Sequence, residues 1–160
     1  MSEEYNIITD KGELITPCKQ VSVPQGKEIG RTLLSELKKT PTGIGLAANQ
    51  IGIDAAVCVI NVGRQVVLVN PVIENSFKKI FFQEACLSFP GEAVVTQRYA
   101  NIAVRADNHR GLLYFGENNL LECICVQHEI DHLNGITMFE RQIELDKMDN
   151  IEYISSKKSF

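Results

Sequence analysis

The sequence lacks several features that would mark other classes of protein. No apolar run approaches the roughly 18 residues that a membrane-spanning helix needs. Lysine and arginine form no block before the last few residues, and the formal net charge is −4, so the basic face of a nucleic-acid-binding protein is missing. The first residues, MSEEYNIITDKGEL, are acidic and polar, unlike a signal or transit peptide. We therefore expect a cytoplasmic protein that binds neither membrane nor nucleic acid directly.

Repeats, low-complexity tracts and linkers are absent as well, and 160 residues suit a single domain spanning 1–160. The five cysteines are an odd number, and thiols of a cytoplasmic chain are normally reduced. Each is thus expected to be a small buried hydrophobic residue or a ligand. Cys58, Cys123 and Cys125 lie in apolar runs, which favours the core.

The hydrophobic pattern predicts an α+β fold, with mostly antiparallel β-sheets packed around one buried helix. An N-terminal helix is expected over residues 24–39, and a further short helix over about residues 139–153. Turns are expected at residues 63–64 and 108–111. Six segments rich in Val, Ile and Phe predict strands, at residues 56–62, 65–69 with 72–73, 80–83, 93–97, 102–106 and 112–115.

The clearest helix lies late in the chain. Asn119 is a predicted N-cap, Glu122 completes a variant of the capping box, and Gly135 is placed to end the helix. Residues at helical spacing form one face of this helix, namely Leu121, Ile124, Cys125, His128 and His132.

The strongest chemical signal is an H-E-x-x-H motif on this helix, residues 128–132. Side chains four residues apart project side by side, so His128 and His132 can take adjacent corners of one tetrahedral metal. Glu129 lies beside the metal, where a general base can take a proton from metal-bound water. The alternative is two polar residues on a helix face. The rest of that face is apolar, however, and an unliganded histidine pair there would be costly to bury.

A third protein ligand is expected, because catalytic sites of this type normally have three. His109 lies in the turn-like NHRG, which favours a surface histidine. Glu152 has a thermolysin-like spacing from His132 but lies in a polar segment. Cys86, in QEACLSFP, would bind as a thiolate, although taken alone it is better explained as a core thiol. These residues by themselves leave the third ligand open.

Three segments together resemble the signature motifs of peptide deformylases: GIGLAANQIG (43–52), EACLSFP (84–90) and HEIDHLNG (128–135). Their order and separation also fit, and the resemblance extends over about residues 24–139. It implies a metal-dependent hydrolase that removes the N-formyl group from N-formylmethionyl nascent polypeptides and releases formate. The implied ligands are Cys86, His128 and His132, with Fe²⁺ as the active ion and Zn²⁺, Ni²⁺ or Co²⁺ able to substitute.

The resemblance implies roles for further residues. Glu129 would act as general base and then as acid, while the side chain of Gln50 and the backbone N–H of Leu87 would stabilise the oxyanion. Glu84 would pair with Arg98 and brace the strand of the cysteine ligand, unless the two form an exposed ion pair of little energetic value.

The same resemblance implies an apolar pocket for an unbranched methionine side chain. Gly45 would let an extended substrate backbone approach closely and pair like an added strand. The pocket itself would be formed by Ile44, Phe82, Leu121, Ile124 and Cys125.

Two positions depart from the family's pattern, since Asn49 replaces the usual proline and Ala85 the usual glycine. Neither change removes a reacting group, so they bear on rate and substrate preference. We expect a monomer with transient proximity to the ribosome. Docking through the C-terminal segment is not expected, because that segment is acidic through Glu140, Glu144, Asp146, Asp149 and Glu152.

Two other functions stay open at the level of sequence. One is another HExxH amidase or metallopeptidase with its third ligand elsewhere, for which Glu152 is the candidate. The other is a binding protein that holds a structural metal without turnover. Structural sites normally have four protein ligands, whereas only three are found here, which leaves one position for water.

Overall fold

The computed structural model describes residues 4–144, 147–148 and 151–160. Within these residues the chain forms two α-helices, α1 (Val23–Leu37) and α2 (Leu120–Leu133). Short 3₁₀ turns lie at Lys11–Glu13, Ala48–Ile51, Glu117–Asn119 and Met138–Arg141. The strands are β1 (Gly45–Ala47), β2 (Val57–Asn61), β3 (Gln65–Val69), β4 (Val72–Ala85), β5 (Ala93–Arg105), β6 (Leu112–Phe115) and β7 (Ile154–Ser155). The predicted α+β class is confirmed.

The strands form two sheets. One has the order β1-β2-β3 and is antiparallel, and the other has the order β6-β5-β4-β7, in which only β7 runs parallel to its neighbour. Both predicted hairpin turns are confirmed. Gly63, between β2 and β3, has a φ of 84°, and Gly111, between β5 and β6, has a φ of 63°. Glycine adopts this left-handed region without steric cost, which fixes both turns.

The strand prediction was wrong in one respect, because four short strands are parts of two long ones. β4 has 14 residues and β5 has 13, and the two pair almost along their whole length, with one irregularity between Ile73 and Asn75. Residues such as Glu74 and Lys79, between the predicted segments, face solvent. Apolar alternation is therefore missing there, while the backbone hydrogen bonds of the ladder continue.

Helix α2 lies between the two sheets, and every residue from Glu122 to Leu133 is buried. Its predicted N-cap is confirmed, since the Asn119 side chain accepts from the Glu122 N–H at 3.3 Å. The capping box was only half right, because the Glu122 carboxylate accepts from Arg64 at 2.9 and 3.2 Å. Gly135 follows the helix with a φ of 75°, as predicted. The buried helix carries its functional side chains into the space between the sheets.

The predicted last helix, over about residues 139–153, includes residues 145, 146, 149 and 150, which lie outside the described residues, Asp146 and Asp149 among them. Among the described residues of this range, residues 139–141 belong to the 3₁₀ turn Met138–Arg141. Strand β7 follows the range, at Ile154–Ser155. All five cysteines are free thiols, and Cys58, Cys123 and Cys125 are fully buried, as expected. In the described part of the chain, no helix is long and apolar enough to cross a membrane.

Helix α1 packs against the sheet of β1, β2 and β3 through Gly26, and this contact generates a prediction. A Cβ at Gly26 would lie 2.5–2.6 Å from both Cγ atoms of Val69, a stiff β-branched side chain. We expect Gly26→Ala to lower the free energy of unfolding by about 1–3 kcal/mol through overpacking, although alanine favours helix more than glycine does. Urea denaturation measures the change. Ser35→Ala, on the exposed face of α1, is the matched control, and an equal effect of both substitutions would contradict the packing account.

Candidate metal centre

Three buried side chains from two parts of the chain converge at one point. Cys86, directly after β4, places its Sγ 3.4 Å from Nε2 of His132. The Nε2 atoms of His128 and His132 are 3.2 Å apart. A tetrahedral metal would separate two nitrogen ligands by about 3.3 Å and a sulfur and a nitrogen by about 3.6 Å. The observed distances fit such an ion, and among the described residues this is the one group with metal-ligand geometry.

None of the three ligands is more than 2% exposed, and this burial shifts the pKa of two of them, His132 and Cys86. Burial, and then the neighbouring His128, hold the pKa of His132 well below its ordinary value, so the imidazole is neutral as a ligand must be. Burial, and then the charge of Glu129, raise the pKa of the Cys86 thiol. A coordinated cation opposes both effects and deprotonates a bound thiol. The donor set therefore fits a divalent transition metal.

The other candidates for a third ligand lie elsewhere. His109 lies in the turn between β5 and β6, and its Nε2 is 2.9 Å from the carbonyl oxygen of Val67. Glu152 is exposed. Neither belongs to the group with metal-ligand geometry, so the structure gives no support to the alternative in which Glu152 is the third ligand.

Glu84 supports the histidine ligand from behind. Its Oε1 accepts from Nδ1 of His128 at 2.7 Å, which leaves Nε2 of that ring free to face the metal. Arg98 donates to both oxygens of Glu84, at 2.5 and 2.9 Å, and the hydroxyl of Thr96 donates as well. Burial alone would raise the pKa of Glu84, but the charge and hydrogen bonds of Arg98, with those of His128, hold it well below its ordinary value. The carboxylate is therefore ionised.

The pair of Glu84 and Arg98 is buried, with exposures of 0% and 3%, so the alternative of an exposed ion pair is wrong. Arg98 also donates to Asp131 at 2.6 Å, and Asp131 accepts from Arg141 at 3.0 and 3.1 Å. Asp131 was visible in the sequence as part of the third signature motif, but no contact with Arg98 was predicted for it. Thr96 and Arg141 were missed, because no local pattern relates them to the motif.

The carboxylate of Glu129 is fully buried beside the ligands. Its Oε1 has no hydrogen-bond partner among the described residues, whereas Oε2 accepts from the Cys125 thiol at 3.8 Å. Burial, and then the charge of Glu84, raise its pKa well above the ordinary value. Gly45 lies against it, since a Cβ there would be 2.5 Å from Oε2 of Glu129 and 2.3 Å from Sγ of Cys125. The close approach that requires this glycine is therefore that of β1 to α2.

Gln50 points its amide group toward the centre. Its Oε1 accepts from the Ala47 N–H at 2.9 Å, so Nε2 is directed to Ser88 Oγ at 3.2 Å and to Cys86 Sγ at 3.6 Å. The neighbouring Asn49, a departure from the family's pattern, donates to the carbonyl oxygen of His132 at 2.7 Å. Ser88 was missed, and its only signal was a place two residues after the cysteine ligand.

Most of the residues expected to bind substrate share one core cluster with Phe160, another residue of this protein. The backbone N–H of Leu87, the second expected oxyanion donor, donates to the backbone oxygen of Phe160 at 2.8 Å. Leu121 is partly buried at the edge of the core cluster that contains Phe160. The other expected pocket residues belong to the same cluster, namely Ile44, Phe82, Ile124 and Cys125.

Comparison with known proteins identifies the family. A family model for polypeptide deformylase matches residues 5–148. The chain belongs to the polypeptide deformylase family. A peptide deformylase from Aquifex aeolicus is 41% identical over 106 residues, covering 62% of this chain and 63% of the relative, a little under two thirds of that protein. Another, from Hamiltonella defensa, is 31% identical over 156 residues, covering 91% of this chain and 90% of the relative.

Solved structures of this family share the fold. The crystal structure of peptide deformylase from Thermotoga maritima matches with a TM-score of 0.78 at 28% identity, covering 89% of this chain and 100% of that one. The family likeness thus extends from the three sequence motifs to the arrangement of both sheets and the buried helix.

The support of His128 by Glu84 generates a second prediction. We expect Glu84→Gln to weaken metal binding about 10–100-fold, because the neutral amide holds and polarises the imidazole less well. Competition with a chelator measures the affinity. Glu74→Gln, also on β4, is the control, since the ion pair of Glu74 with Arg105 is exposed and contributes little. Equal metal affinity of the two variants would show that the buried carboxylate does not support the centre.

Proposed function

We propose that this protein is a metal-dependent peptide deformylase that hydrolyses the N-formyl group of N-formylmethionyl polypeptides and releases formate. The observation that carries the proposal is the convergence of Cys86, His128 and His132 beside the buried carboxylate of Glu129. Membership of the polypeptide deformylase family supports the choice of substrate over that of other HExxH amidases. Three protein ligands, with a fourth position for water, fit a catalytic rather than a structural site.

The three ligands would hold one divalent ion, for which we propose Fe²⁺, with Zn²⁺, Ni²⁺ or Co²⁺ as substitutes. When bound, the ion lowers the pKa of a coordinated water and so supplies the nucleophile. The thiolate of Cys86 would make an iron-loaded centre sensitive to oxygen and peroxide. For this reason the assays should be carried out under anaerobic conditions.

Glu129 moves the proton in this proposal. Its unpaired Oε1 accepts the proton of the attacking water as general base. The same carboxyl then donates the proton to the leaving amine, which becomes the free N-terminus of the polypeptide. A raised pKa suits both roles, because it makes the carboxylate a stronger base and makes the protonated form available to protonate the amine.

Gln50 and Leu87 would stabilise the charge that develops on the formyl oxygen. The Gln50 side chain is held by Ala47 with its Nε2 donors directed to the centre, so no reorganisation is needed at the moment of reaction. The backbone N–H of Leu87 lies on the residue next to the cysteine ligand. A donor of this kind typically lowers the barrier by about 3–4 kcal/mol.

The apolar cluster beside the centre would bind the methionine side chain of the substrate, with Ile44, Phe82, Leu121, Ile124 and Cys125 as its walls. Free thiols are consistent with the cytoplasmic location that we propose. We further propose a monomeric single domain that meets nascent chains in transient proximity to the ribosome.

The role of Glu129 can be tested directly. We expect Glu129→Gln to keep its metal and to lower formate release by about 10²–10⁴-fold, since the amide cannot accept the proton. Formate release from a short formyl-Met peptide by anaerobic, Fe²⁺-loaded protein is the measurement, with metal content determined on the same samples.

The matched control is Glu122→Gln on the same helix, whose carboxylate pairs with Arg64 away from the centre. That variant should retain activity near that of the unmodified protein. Formate release by the unmodified protein that does not exceed that of Glu129→Gln would overturn the proposed function.

A further inference from the structure

The last two residues of the sequence lie in the cleft beside β1. The N–H of Ser159 donates to the Thr42 carbonyl oxygen at 2.9 Å, and the N–H of Ile44 donates to the Ser159 carbonyl oxygen at 2.9 Å. Gly43 and Ser159 form a parallel bridge, and the hydroxyls of Thr42 and Ser159 are 3.2 Å apart. The segment therefore pairs in parallel with residues 42–44, just before β1, in the manner in which many proteins bind extended peptides at a sheet edge.

Phe160, the second of these residues, is hydrogen-bonded to the backbone on both sides of Cys86. The N–H of Phe160 donates to the Ala85 carbonyl oxygen at 2.9 Å, and the Leu87 N–H donates to the Phe160 backbone oxygen at 2.8 Å. Residues 159–160 thus bridge the two sheets directly beside the cysteine ligand. The backbone oxygen of Phe160 thus accepts the hydrogen bond of the Leu87 N–H, the donor that we assign to the oxyanion.

The ring of Phe160 is fully buried against the metal centre. Its centroid lies 5.1 Å from that of the His128 ring, with an angle of 68° between the planes, and 6.1 Å from that of Phe82, nearly parallel at 26°. Ile44, Ile124 and Cys125 belong to the same core cluster as Phe160. Together with Phe82 they are walls that we propose for the substrate methionine, so the Phe160 ring lies in the cluster that we assign to that side chain.

The side chains of the centre are buried from solvent. The three ligands, Glu129 and Gln50 are each at most 2% exposed. A polypeptide substrate has to bring its formyl group to this point, where the side chains are buried. Departure of Ser159 and Phe160 would free the Ile44 N–H and the Leu87 N–H together.

We propose that Ser159 and Phe160 form an intramolecular plug that docks in the place of the substrate and competes with it. The inference rests on the proposed function for the identity of the substrate with which the plug competes. The contacts of the plug do not depend on any activity. Lys157 and Lys158, which lead into the plug, are exposed, so departure of the plug would not have to remove these two side chains from a buried position. If the plug holds roughly nine tenths of the molecules closed, the apparent KM is raised about tenfold while kcat is unchanged.

The test compares the unmodified protein with a variant that lacks residues 159–160, both loaded with Fe²⁺. We expect KM for a formyl-Met peptide to fall about tenfold at constant kcat. A synthetic peptide of residues 155–160, SSKKSF, should raise KM of the shortened protein competitively. Lys158→Ala, which changes an exposed side chain next to the plug, is the control and should behave like the unmodified protein.

Amide hydrogen exchange gives a readout that does not need turnover. The N–H groups of Ile44 and Leu87 have their acceptors in the plug, so they should exchange at least about tenfold faster in the shortened protein, whereas amides of β2 should not change. Should removal of Phe160 prevent folding, Ser159→Pro takes its place, because it removes the donor to Thr42 and keeps the ring.

The outcomes separate the two proposals. Unchanged KM together with unchanged exchange at Ile44 and Leu87 would overturn the plug while leaving the deformylase assignment intact. Faster exchange at both amides, with no formate from any variant, would support the plug and overturn the proposed function. Equal effects of Lys158→Ala and of the shortening would overturn the plug as well.

Discussion

The buried carboxylate of Glu84 is the contact on which the metal centre depends. It lies at the end of β4, next to the cysteine ligand, and accepts hydrogen bonds from His128 on α2 and from Arg98 on β5. One ionised side chain therefore fixes the helix, both long strands and the tautomer of a ligand histidine. A buried charge of this kind is costly unless every oxygen is hydrogen-bonded, and here Arg98, Thr96 and His128 meet that need.

This arrangement explains how a reactive site fits inside a closed core. The helix with the H-E-x-x-H motif is buried on all sides, and the strand edge of β1 approaches it so closely that Gly45 has no room for a side chain. Substrate access must then come from a part of the structure that is held less firmly than the sheets and the helix. In the proposed plug, Ser159 and Phe160 are that part, and four backbone hydrogen bonds and one buried ring join them to the rest of the protein.

Much of the centre could be predicted from local patterns, because the H-E-x-x-H spacing and the apolar face of α2 both lie within one continuous segment of the sequence. Cys86 needed the resemblance to a family, since a lone cysteine after an apolar run looks like a core residue. The continuity of β4 and β5 was missed where exposed polar residues conceal the period of the strand. Thr96, Arg141 and Phe160 could not be predicted, because only the pairing of distant strands brings them to the site.

The central claim is that a sulfur and two imidazoles bind the same ion. X-ray absorption spectroscopy of the Zn²⁺-loaded protein tests it most directly, since sulfur and nitrogen ligands scatter differently and lie at different distances. The account predicts one sulfur at about 2.3 Å from the zinc and two imidazole nitrogens at about 2.0–2.1 Å from it. The fourth position should hold an atom lighter than sulfur, such as the oxygen of water. A spectrum with only nitrogen and oxygen ligands would contradict it.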